Sequence, residues 1–130
     1  MFIKYLNLIN ASILRTEKEP EWESVLTRTM RFRTPRIWRM AHVITKRILL
    51  KSALKPQSLI IATSLGALNE TEIYLDALFK DGFGSPRSFI ASVHNSMAGN
   101  NRKDVSIHRP TISVCEGQNS FASALKTGSL

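Results

Sequence analysis

Few side chains in this sequence can act as nucleophiles or move protons. There is one cysteine, Cys115, in the stretch "TISVCEGQNSFASAL", and three dispersed histidines, His42, His94 and His108. A cysteine attacks as its thiolate, and a helix N-terminus or a neighbouring base favours that form. Cys115 follows a β-branched run and precedes a small-residue segment that starts at Asn119. It therefore falls inside a predicted strand, where a cysteine ordinarily serves as a small buried hydrophobe. A nucleophilic Cys115 stays open as the alternative. One cysteine excludes a disulfide framework within this chain and fits a reducing, cytoplasmic setting. With three scattered histidines, no Cys/His zinc cluster is expected. "SLGAL" lacks the spaced glycines and Lys-Ser/Thr of a phosphate loop. No cofactor and no metal are expected.

The elements that would position these residues follow from periodicity. "FIKYLNLI" alternates apolar positions and predicts a strand at about 2–9. Thr34 and Pro35 read as the cap and first turn of a helix reaching about Leu54, with Ile37, Met40, Ala41, Ile44 and Ile48 on its apolar stripe. "SLIIATS" is a short continuous apolar run, predicting a strand buried on both faces. Gly66 reads as a backbone turn. Asn69 with Glu72 reads as a capping pair for a helix ended by Gly82. Ser85 and Pro86 open another helix, with Gly99 as its stop and "NNRKD" as a polar turn. "PTISVC" predicts a second buried strand, and "NSFASALKTG" a final helix. The order βαβααβα specifies an α/β layered fold.

The 130 residues predict one domain with a modest core. No apolar run reaches the length of a membrane span. The net charge is +8, and its distribution carries more information. Residues 17–23 hold four glutamates, whereas Arg28 to Lys55 holds nine Lys/Arg and no acid. Such a block steers acidic partners. It carries no zinc-finger or RNA-binding aromatic signature, so nucleic acid is not the expected partner.

Four stretches in register resemble the β-ketoacyl synthase family, whose fold is thiolase-like. They are "RMAHVITKRILLKSAL", "LIIATSLGALNETEIYLDAL", "SPRSFIASVHNSMAG" with its Asn95, Ala98 and Gly99 ending, and "RPTISVCEGQNSFASAL". The "SVHNSMAG" flavour is most similar to the divergent branch that includes chain-length factors. The resemblance implies a partial thiolase-like domain over residues 1–130, truncated at its C-terminus, because two catalytic histidines of the family lie in a half this chain lacks. It places Gln118, eight residues after Pro110, at the nucleophile position. Glutamine there cannot carry a thioester but can hydrogen-bond an acyl carbonyl. The implied function is that of a non-catalytic chain-length-factor-type homologue, or a truncated copy, in fatty-acid or polyketide synthesis. An active condensing fragment using Cys115 and a small basic binding protein are the alternatives. The resemblance further implies an acyl carrier protein partner met by Arg28, Arg31, Arg33, Arg36 and Arg39. It implies a catalytic ketosynthase subunit or a second copy as neighbour, with His94, Asn95 and Met97 near the interface and acyl tunnel.

Overall fold

A computed structural model of the chain describes residues 12, 14, 18–53, 55–104 and 106–129. The strand expected at 2–9 lies outside the described residues. Within them run α1 (Glu19–Glu23), α2 (Arg28–Arg33), α3 (Arg36–Lys51), β1 (Leu59–Thr63), α4 (Leu68–Asp81), α5 (Pro86–Ser92), α6 (His94–Asp104), β2 (Thr111–Cys115), a 3-10 turn (Gly117–Asn119) and α7 (Ser120–Gly128).

β1 and β2 pair in parallel, with Leu59 opposite Thr111 and Thr63 opposite Cys115. Parallel neighbours require a crossover, and α4, α5 and α6 supply it. Side chains alternate between the faces of a strand. Ser113 hydrogen-bonds to the start of α6, while Ile60 lies against Gly128 of α7. Ile61 stands opposite Ser113 in the register, so its neighbour Ile60 faces the other way. The two helices therefore cover opposite faces of the sheet. α3 packs on α6, tied by the Asn101 amide donating to Thr45 Oγ1 at 2.8 Å. Beyond α3, Trp22 of α1, Leu26 and Val43 form a buried cluster with Leu14, Met30 and Met40 around it.

Several local expectations hold. Gly82 ends α4 with φ +66, and Ser85 Oγ accepts the Ser88 N–H at 3.1 Å behind Pro86. Others are corrected. Thr34 does not cap α3: it is extended at the end of α2, and Pro35 holds the cap position without a side-chain bond. α2 is a separate helix, started by Thr27 Oγ1 accepting from Met30 N–H at 3.3 Å. α3 ends at Lys51, where Ser52 turns extended and its N–H returns to Leu49 O. Asn69 and Glu72 form no capping box, because α4 starts at Leu68 with Ala67 at the cap position, two residues earlier, and the Asn69 amide donates to Glu70. Gly99 does not stop its helix. The break comes at extended Val93, and α6 continues through "NNRKD" because buried Asn101 bonds to α3. Neither strand is buried on both faces: Ala62, Ile112 and Cys115 are exposed, and among the described residues the sheet has only these two strands.

Candidate functional site at the carboxyl end of the sheet

Two parallel strands end side by side at Thr63 and Cys115, and each feeds a turn into a helix. In such sheets the carboxyl edge is where ligands meet the chain. After β1, Gly66 adopts φ +60, and its N–H donates to Thr63 Oγ1 at 2.6 Å. A side chain at Gly66 would meet more than strain. An added Cβ would stand 2.6 to 2.8 Å from three atoms of the His94 ring. The expected backbone turn is confirmed, with a second reason for glycine that the sequence did not show.

His94 opens α6, and its Nδ1 accepts the Ala67 N–H at 3.2 Å. The proton of the neutral ring therefore sits on Nε2. Ser113 on β2 donates to His94 O and lies 3.3 Å from Asn95 Oδ1. His94 and Asn95 thus link α4, α6 and β2 into one edge. Of the three residues assigned to an interface or acyl tunnel, only Met97 is buried. It lines both a cavity of about 10 Å³ beside Cys115 and an apolar groove of about 590 Å³ along α3 and β1. The small cavity holds about one water molecule and no acyl chain.

After β2 the chain turns through Gly117, φ +57, into the 3-10 turn that carries Gln118 and then into α7. Gln118 is exposed, and its side chain has no hydrogen-bond partner among the described residues. Cys115 was expected to be buried and is instead exposed. It closes β2 at the sheet edge, where α7 has not yet begun to cover the strand, and its thiol lies 3.5 Å from Ser64 O. It precedes the 3-10 turn and is not itself part of the start of α7. Among the described residues no carboxylate or imidazole hydrogen-bonds the thiol.

The residue that holds this turn together is Ser120, which is 4% exposed. Its hydroxyl accepts the Glu116 N–H at 2.8 Å and lies 2.7 Å from Thr63 O and 2.8 Å from Gly117 O. A serine at a helix start is ordinarily a cap, so nothing in the sequence marked it as the bond between α7 and β1.

The basic block divides into two halves. Arg36 forms a forked pair with Glu19, through Nε and Nη2 at 2.8 to 2.9 Å. Arg39 Nη1 lies 2.9 Å from Glu23 Oε1 and donates to Arg31 O. The hydrogen-bonded Arg36 guanidinium holds the Glu19 carboxyl below its ordinary range, and Glu19 in turn raises Arg36. Arg28, Arg31 and Arg33 have no carboxylate partner among the described residues. His42 is buried on α3, away from the sheet edge, and His108 is exposed in the turn before β2. Among the described residues no cluster of three or more His, Cys, Asp or Glu could hold a metal ion. Among them too, no helix is long and apolar enough to cross a membrane.

No family model matches the sequence, and no curated protein matches it. The structure does have a counterpart. It is similar to a chain of the complex between a ketosynthase (ApeO) and its chain length factor (ApeC) from Xenorhabdus doucetiae, with a TM-score of 0.74 at 20% sequence identity. The likeness covers 92% of this chain and 56% of that one. The chain therefore has a ketosynthase-like fold, a partial thiolase-like α/β arrangement, and spans little more than half the length of the matched chain.

Proposed function

We propose that this chain is a non-catalytic ketosynthase homologue of the chain-length-factor kind, working in fatty-acid or polyketide synthesis beside a catalytic ketosynthase subunit. The observation that carries this reading is Gln118 in the turn leading into α7, where a condensing enzyme presents its nucleophilic cysteine. An amide there has no usable nucleophile but can donate to, or accept from, the polar groups of a bound acyl or malonyl unit. The matched complex pairs a ketosynthase with a chain length factor, which supports a ketosynthase-type neighbour for this chain too. An acidic acyl carrier protein is the partner suited to the basic block.

Exposure of Cys115 favours a second reading, in which that thiol takes the acyl group. One experiment separates them. The chain is incubated with an acyl carrier thioester and weighed intact, alone and with a ketosynthase subunit. The proposal expects co-purification with the subunit and no acyl adduct. A saturable adduct that disappears in Cys115→Ser would overturn it in favour of the second reading.

A further inference from the structure

We propose that the cleft between the α2–α3 junction and α5 is a docking site for an acidic protein segment that inserts an apolar side chain. The cleft has a volume of about 560 Å³. Its walls include Phe32, Pro35, Trp38 and Ile90, and Arg33 and Arg87 line it as well. Phe32 is 78% exposed although it is one of the largest apolar side chains on α2. Arg87 donates to Arg33 O, which ties α5 to the end of α2 and holds the two sides of the cleft together. Neither guanidinium has a carboxylate partner among the described residues.

Charge complementarity decides the occupant. The structure neutralises Arg36 and Arg39 internally with Glu19 and Glu23 and leaves Arg28, Arg31, Arg33 and Arg87 facing outward. An apolar cleft bordered by such guanidiniums fits an aliphatic or aromatic side chain flanked by carboxylates. A nucleic acid fits less well. Its phosphates track a continuous basic stripe, whereas this cleft has apolar walls, with Arg33 and Arg87 as its two cations and Glu70 as its one acid.

The inference rests on the function proposed above only in that a carrier protein is one such acidic partner. The test uses three probes at one ionic strength, followed by Trp38 emission and by anisotropy. They are a short acidic peptide with a central leucine, the same peptide with glutamine for glutamate, and duplex DNA. A carrier protein is run in parallel. The acidic peptide is expected to bind best. Phe32→Ser and Arg33→Ala are each expected to weaken it about tenfold with unchanged melting temperature. Arg31→Ala, whose side chain is exposed and has no bonded partner among the described residues, should weaken it too, while Lys80→Ala at the far end of α4 should not. Peptide binding untouched by Phe32→Ser and Arg33→Ala would overturn the site, as would tighter binding of DNA than of the acidic peptide. Peptide binding with this variant pattern but no carrier binding would uphold the cleft and sink the carrier partnership.

Discussion

Ser120 and Gly66 fix the two turns that face each other across the sheet edge, and they do so by different physics. Removing the Ser120 hydroxyl leaves the Glu116 N–H and the Thr63 carbonyl without this partner in a partly buried place. Ser120→Ala is therefore expected to cost about 1–3 kcal/mol in urea unfolding. Gly66→Ala combines a positive φ with collision against the His94 ring. It is expected to cost about 2 kcal/mol or more, of which roughly 1 kcal/mol is backbone conformation. In Gly66→Ala/His94→Ala the steric part should vanish, so the double variant should lose less than the sum of the singles. Additive losses would show that the ring contact carries no energy. At this scale the sequence was readable where a residue's type limits it, as with the lone cysteine and the turn glycine. It failed at Cys115's exposure, which depends on what packs over β2, and at Ser120, whose bond partner lies 57 residues away.

Among the elements, α1 is short and would be marginal alone, and its anchoring comes from two sources. Trp22 is buried with Leu26 and Val43, and Glu19 and Glu23 pair with α3. The sign of the pH effect follows from Glu19. Its carboxyl lies below the ordinary value of 4.5, so its contribution is fully present above that value. It is lost as pH falls through the lower, folded-state value. Thermal melting should fall between pH 5 and pH 3, and Glu19→Gln should flatten that slope while lowering stability at neutral pH; an unchanged slope would count against the pairing. Ser85→Ala should cost about 1 kcal/mol through the lost α5 cap. The start of α5 and the end of α4 were legible because serine-proline and a left-handed glycine are local signals. The separation of α2 from α3 and of α5 from α6 was not. The first break falls at Thr34, extended before Pro35, and the second at extended Val93, while the bond that carries α6 onward joins Asn101 to Thr45, 56 residues away.

At the scale of the whole molecule, the layered α/β order was legible because alternation and helical periodicity survive without knowledge of neighbours. The extent of burial was not, since that depends on what covers each face. Trp22 and Val43 are the largest fully buried side chains among the described residues, while Phe79 at 81% and Phe83 at 68% stand exposed on α4 and the turn after it. Ile73 on α4 and Phe89 on α5 are exposed as well. Large apolar side chains left exposed in this way suit a protein contact. If the proposed ketosynthase-type neighbour seats there and binds only the folded form, it stabilises the chain by mass action. Adding such a subunit at a hundredfold excess over its Kd should raise stability by about 2.7 kcal/mol and shift the melting temperature upward with concentration. Phe79→Ser/Phe83→Ser should abolish that shift while leaving the isolated chain's melting nearly unchanged, since both side chains already face water. A melting temperature that rises equally for the double variant would place the interface elsewhere.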